Sequence, residues 1–332
     1  MDGREYLPWS RAMEEALYGP RGFYRSRGGP AAHFRTSVHA SPLFAGAIVA
    51  LLRQVDEALG EPDRLTLVDL GAGGGELLAA VHASCGDEPF ADRLCLVAVE
   101  IAARPRDLAA AIEWCAQPPG AVTGVLVANE WLDNVPCDVV ELAADGWRSV
   151  EVAADGAQRL GAPADGGQLA WLASWWPAGE PGARAEVGRS RDLAWRGAVS
   201  TLSRGVALAV DYAHTRAARP PYGSLTGYAN GRQTAPVPDG SCDLTAHVAL
   251  DACAAAAAAD WTVQLTQRTA LRRLGISGAR PPIATASTAP RGYLRRLSQA
   301  AAAGELTDPD GLGGFGWLAQ GVRVPVPPVF QT

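Results

Sequence analysis

Two textures alternate along the chain. Short apolar runs (LTLVDL from Leu65, LCLVAVE from Leu94, GVLVANE from Gly124 and GVALAVDY from Gly205) carry no polar alternation, and each stops at or beside an acid. Between them lie segments with apolar residues three and four apart, among them PLFAGAIVALLRQVDEAL from Pro42 and ELLAAVHAS from Glu76. A run that is apolar at every position suits a strand covered on both faces, and such strands joined by helices build a parallel sheet. The pattern predicts strands at about 65–70, 93–100, 111–115, 123–128 and 205–211, closed by a pair near 261–267 and 314–321. The expected fold class is α/β and Rossmann-like: a mostly parallel seven-stranded sheet with helices on both faces.

Local signals fill in the rest. PWSRAMEEALYG has helical spacing and a glycine stop at Gly19, and Ser41 with Pro42 reads as the capped start of a long helix. RPRDLAAA reads as a short helix, and VVELAADGWRSVEVAADG as a hairpin about Asp145-Gly146. Residues 162–182, which include WLASWWP, give no clear element; RSRDLAWRGAVSTLSRG reads as a helix. A polar, Gly/Pro-rich segment follows Asp211 as far as Ser241, and a long Ala-rich helix is expected after it. This divides the chain into an N-terminal helical lid at 1–60, a core at 61–136 and 205–330, and a substrate-shaping insertion at 137–204.

Composition narrows the classes. With 332 residues, 48% hydrophobic and 19% charged, the chain has material for a sizeable core. A net charge of −6 offers no basic surplus for nucleic acid. All 29 basic residues are arginine, which excludes Schiff-base chemistry and the lysine of a P-loop. Six scattered cysteines without a CxxC pair point away from a zinc site and toward reduced thiols in a cytoplasmic protein. No leader-like apolar stretch opens the chain and no run is long enough to span a bilayer, so membrane insertion is not expected.

The candidate chemistry begins where the first run breaks into glycines, VDLGAGGGELL. A glycine turn after a buried strand brings backbone N–H groups close to a ligand at a helix N-terminus. GAGGGE is a poor fit to GxGxxG, because its sixth place is Glu76. Asp69, Gly71, Gly73 and Gly75 instead satisfy Asp-x-Gly-x-Gly-x-Gly at every position, which resembles the S-adenosylmethionine (SAM) signature of Rossmann-like methyltransferases. Glu100 ends the next run, where a carboxylate can accept both ribose hydroxyls. GVLVANEWLDNVP then presents Asn129, Glu130, Asp133 and Asn134 after a strand, and GVALAVDYAH does the same with Asp211, Tyr212 and His214. Asp133 could equally cap a helix, and Asp211 a sheet end.

The order FRTSVHASPLFA, VDLGAGGGELL, VANEWLDNVP, LAVDYAH and GSLTGYANGRQTAPVPDGSCDLTAHV resembles the MidA-like methyltransferases, the DUF185 group. These are related to the mitochondrial complex I assembly factor that methylates arginine. The most specific block is SCDLTAHV, with Asp243, Thr245, Ala246, His247 and Val248 in place. Val38 and His39 depart from the Pro-Glu of the family's N-terminal loop. The resemblance implies a class I methyltransferase that binds SAM through Asp69, Gly71, Gly73, Gly75, Glu100, Asn129, Thr36 and Ser37. It implies Glu130, Asp133 and His247 as catalytic residues, with no metal. The implied acceptor is a protein, with arginine the relatives' choice. The altered loop also admits a small molecule or peptide natural product, or a SAM-binding assembly protein whose catalysis has decayed. A second copy of the chain is a further expected partner.

Overall fold

The computed structural model describes residues 4–25, 37–177 and 179–331, with the backbone alone at His39 and Ala40. It divides into two compact units, one formed by Arg35–Asn129, Thr201–Val210 and Ala259–Thr332, the other by Met1–Phe34, Glu130–Ser200 and Asp211–Ala258.

The first unit is built on seven strands: β1 (Leu65–Leu70), β2 (Leu94–Val99), β3 (Ile112–Cys115), β4 (Val122–Asn129), β5 (Leu202–Asp211), β6 (Trp261–Thr266) and β7 (Gly316–Val322). Their order across the sheet is β6-β7-β5-β4-β1-β2-β3. β1 through β5 pair in parallel, and β6 pairs with β7 antiparallel. All seven fall where the apolar runs place them. Every residue of β1 is buried, as a central strand covered on both faces requires. The order reverses between β1 and β4, which is where open α/β sheets bind ligands, at the carboxyl ends of the strands.

Helix Pro42–Leu59 lies in the same unit and begins as read: Ser41 extends its backbone, and its hydroxyl accepts from the Leu43 N–H at 3.1 Å. The expected helix at RPRDLAAA does not form. Arg104 donates instead to the carbonyls of Leu108 and Ala109, at 3.1 and 2.8 Å, holding the segment as turns. Pro105, which lacks an N–H, fits a turn as readily as a helix start.

Glycine pins the middle of the sheet. Gly124 and Gly205 face each other in β4 and β5, with φ of +142° and +137°. A Cβ on Gly124 would meet the Thr66 backbone of β1, and one on Gly205 would meet Gly124 itself. Such strand glycines mark close backbone approach. Gly124→Ala is expected to cost at least about 2 kcal/mol, from strain at positive φ and overpacking together. Urea unfolding measures it, and a loss under about 0.5 kcal/mol would contradict the assigned crowding.

The second unit carries what the sequence left open. Asp138–Ala143 and Gly146–Val152 form the expected hairpin, and Leu7–Pro8, Arg184–Val187 and Gln158–Pro163 extend its sheet. Helix Trp9–Tyr18 buries Trp9, Met13 and Leu17 against Val139, Val150 and Val152 of that sheet. The WLASWWP stretch is helix and core: Gly166–Trp175 is closed at its start by an Asp165–Gln168 capping box, and Trp171 and Trp176 are buried with Val140 and Ala185. The polar segment after Asp211 is also structured. Thr226–Ala229 runs antiparallel between Arg232–Thr234 and Asp243–Thr245, and the Ala-rich helix is only Leu250–Ala256.

All six cysteines are free thiols; Cys85, Cys137, Cys242 and Cys253 are buried, and Cys95 and Cys115 are partly so. Among the described residues no helix is long and apolar enough to cross a membrane.

Candidate functional site

The glycine turn leaves β1 in the first unit. Gly71, Gly73 and Gly75 take φ of +68°, +57° and +82°, a region closed to most side chains. The Gly71 and Ala72 N–H groups donate to the Val99 carbonyl at 3.0 and 3.2 Å, fixing the turn against the end of β2. The next two amides go to carboxylates. Gly73 N–H donates to Glu100 Oε2 at 3.0 Å, and Gly74 N–H donates to Glu76 Oε2 at 2.9 Å. The other oxygen of Glu100 accepts from Ile101 and Ala102 N–H at 2.7 and 3.0 Å. Glu100 thus clasps the glycine turn to the tip of β2.

Asp69 sits at the base of the turn and is only 4% exposed. Burial pushes its carboxyl up to about 8, and the charges of Glu76 and Glu100 add to the shift. This donor set decides which ligands fit. A dinucleotide pyrophosphate would bring negative charge to a turn already bearing two carboxylates and a third buried acid. A sulfonium and an ammonium supply the positive charge it lacks. The charge of the turn, set by Asp69, Glu76 and Glu100, therefore fits SAM.

The remaining site candidates of this unit are placed as follows. Asn129 ends β4, opposite Val210 of β5. Ser37 is fully buried, its hydroxyl donating to Gln267 Oε1 at 3.3 Å. Thr36 lies outside the described residues, as does the side chain of His39.

In the second unit the chain resumes at Glu130, whose φ of +52° is strained for a non-glycine residue and so a pointer to function. A 3-10 turn, Leu132–Asn134, follows. Its cap is Asp211: Oδ2 accepts the N–H groups of Trp131, Leu132 and Asp133 at 3.3, 2.9 and 3.3 Å. Of the two capping roles left open by the sequence, Asp211 has one and Asp133 does not. Asp133 Oδ1 and Asp211 Oδ1 are buried without a hydrogen-bond partner. Both carboxyls are raised, chiefly by burial; Asp211, Asp243 and Glu130 push Asp133 up further, and Glu130 does so for Asp211.

Asn134 joins this turn to the Asp-Leu-Thr block. Its amide donates to Asp243 Oδ1, the Leu244 carbonyl and Thr245 Oγ1 at 2.9, 3.2 and 3.2 Å. Tyr24 also donates to Asp243 Oδ1, at 3.0 Å. Burial carries Asp243 up to about 6 against the pull of those two donors. His247 stacks on Tyr212 with ring centroids 5.4 Å apart, and burial followed by the Arg191 charge lowers its pKa.

Arg191 organises both segments. Its guanidinium donates to the carbonyls of Val135 (3.1 Å), Ala246 (2.9 Å), His247 (3.0 Å) and Asp133 (2.7 Å), and it is 1% exposed. The sequence reading missed it, although a signal was present. Arg191 shares a buried helical stripe with Trp195, Ala198 and Val199, and is its one charged member.

An acid-glycine turn at the reversal point of a sheet ordered β6-β7-β5-β4-β1-β2-β3 defines a class I methyltransferase. The model of a family described as S-adenosyl-L-methionine-dependent methyltransferase matches residues 45–267, and the chain belongs to that family, the DUF185 group. Its cofactor is SAM. A crystal structure of a COG1565 superfamily member from Burkholderia thailandensis, bound to S-adenosyl-homocysteine, is similar over 98% of this chain and 90% of that one, with 26% identity and a TM-score of 0.78. A native structure of a protein of that superfamily from the same organism gives the same values: 26%, 98%, 90% and 0.78. No curated protein matches the chain.

Proposed function

We propose that this methyltransferase acts on the guanidinium of an arginine in a protein substrate. The observation that carries the reading is the acidic set of the second unit: Glu130, Asp133, Asp211 and Asp243, with unpartnered buried oxygens on Asp133 and Asp211. Arg191 is the one cation acting on Asp133 and Asp211 and spends its donors on main-chain carbonyls; a substrate guanidinium would add a second positive charge and several N–H donors in a fixed plane.

SAM supplies an electrophilic methyl group, and the protein's part is to align and desolvate the nucleophile. An arginine nitrogen must shed a proton as it is methylated, because its pKa lies above about 12. Burial raises the Asp133 carboxyl; an arriving cation favours its ionised form, which then orients the guanidinium. Glu130, at the strained exit of β4, takes the departing proton. His247, its pKa lowered by burial and its ring stacked on Tyr212, forms a flat wall beside the acids. Asn129, Thr36 and Ser37 are assigned to the cofactor.

The test is methyl transfer from radiolabelled SAM to arginine-bearing and lysine-bearing peptides, with the modified atom located by mass spectrometry. Glu130→Gln is expected to lower turnover roughly 100-fold or more while leaving SAM affinity within about threefold. Label on lysine alone, on a small molecule, or on nothing would overturn the arginine reading.

A further inference from the structure

Glu76 follows the last glycine of the turn and opens helix Glu76–Ser84. A glutamate there would ordinarily serve the helix, as an acid in its first turn. Here its side chain folds back the other way, over the glycines. Oε2 accepts the Gly74 N–H at 2.9 Å, and the same oxygen lies 3.6 Å from where a Cβ on Gly73 would stand. A Cβ on Gly74 would run into the carboxylate itself. Gly74 is not among the turn's glycines with positive φ, which are Gly71, Gly73 and Gly75, so its backbone does not require glycine. What a side chain there would displace is the Glu76 carboxylate.

The consequence concerns charge. SAM carries a sulfonium, an ammonium and a carboxylate; transfer of the methyl leaves a neutral thioether, so the product has one positive charge fewer. Asp69 fills the acid position of the signature, and Glu100 supplies the acid at the end of the next strand. A third carboxylate held over the same turn adds nothing a neutral ligand needs and favours the ligand with the extra charge. We propose that Glu76 is a specificity-determining residue, which favours SAM over S-adenosylhomocysteine and so limits inhibition by product. The position of Gly74 without a side chain serves that role by leaving the carboxylate its place.

Calorimetric titration of the wild type, Glu76→Gln, Gly74→Ala and the double variant with SAM and with S-adenosylhomocysteine tests this by binding alone. Glu76→Gln keeps the size and an acceptor for Gly74 N–H. It is expected to lower the ratio of SAM affinity to product affinity roughly 3- to 10-fold. Gly74→Ala, which displaces the carboxylate without removing it, should lower the ratio in the same direction. The double variant should go no further than Glu76→Gln, since both act on one contact. In the wild type the ratio should also fall as salt is raised, a readout that needs no variant. Equal loss of both affinities in Glu76→Gln would assign the residue to loop structure, and an unchanged ratio would remove it from recognition; either overturns the proposal. Failure of the folded wild type to bind either ligand would instead overturn the cofactor assignment itself.

Discussion

Arg191→Met is expected to lower the thermal midpoint by on the order of 10 °C. The substitution keeps an unbranched apolar stem but strips donors from the carbonyls of Val135, Ala246, His247 and Asp133. Buried acceptors left short of a partner cost about 1–3 kcal/mol each. Relief from burying a charge offsets part of that sum, so a net loss of about 3–5 kcal/mol is expected. Removing the cation also takes away the one charge that pulls Asp133 and Asp211 back toward ionisation, so both rise further. Arg191→Lys should recover less than half, because an ammonium cannot span four acceptors held in a planar fork. Scanning calorimetry decides the matter, and a shift within about 2 °C for the methionine variant would mean the carbonyls are served in another way.

At Asp69 the expected effect is on binding. In the free protein its carboxyl titrates near 8, mainly from burial and then from Glu76 and Glu100. A sulfonium favours the ionised form. Binding SAM at pH 7 should therefore release roughly one proton, measurable as a dependence of the calorimetric heat on the ionisation enthalpy of the buffer. Affinity should climb with pH by up to about tenfold per unit and level off above about 8. Asp69→Asn should weaken SAM roughly 10- to 100-fold and flatten the profile. Its effect on stability has the opposite sign. The folded pKa lies above the ordinary carboxylate value, so between about pH 4 and 8 the folded state holds a proton that the unfolded state has lost. Stability from this group accordingly declines as pH rises through that window, and the asparagine variant should be the more stable protein at pH 8. A variant less stable there, with binding unchanged, would assign Asp69 to the fold and not to the ligand.

The centre of the seven-stranded sheet was legible because its strands are mostly apolar along their length, a pattern that no neighbouring chain segment has to complete; Trp261–Thr266 at its edge alternates instead. The acid-glycine turn was legible for a similar reason, since positive φ and close approach restrict the residue type locally. The second unit was legible only in part: its hairpin and the helices Trp9–Tyr18 and Arg189–Ser200 fall where expected, the rest does not. Gln158–Pro163 is largely exposed and Asp243–Thr245 only three residues long, so neither carries a periodic signal. Asp133 and Asp211 were singled out, but which of them caps the turn depends on a contact between positions 78 to 80 apart in sequence. Arg191 does share helical spacing with Trp195, Ala198 and Val199, but its carbonyl partners emerge only once its helix is placed in the fold. Long-range polar closure of this kind leaves no trace in spacing, whereas backbone demands do.

The buried thiols give the protein two internal clocks. Cys137, Cys242 and Cys253 belong to the second unit, Cys85 to the first, and each has its thiol pKa raised by burial. A native-state alkylating reagent reaches such a sulfur only when the surrounding structure opens, and the thiolate it needs is scarce until then. Cys95 and Cys115, partly exposed, should react first and set the zero of the measurement. Modification at Cys85 then times the opening of one unit and modification at the other three that of its companion, within a single sample and without an added label. A cofactor bound in the first unit would slow its own clock, and whether the second slows in step would reveal how far the two share one stability.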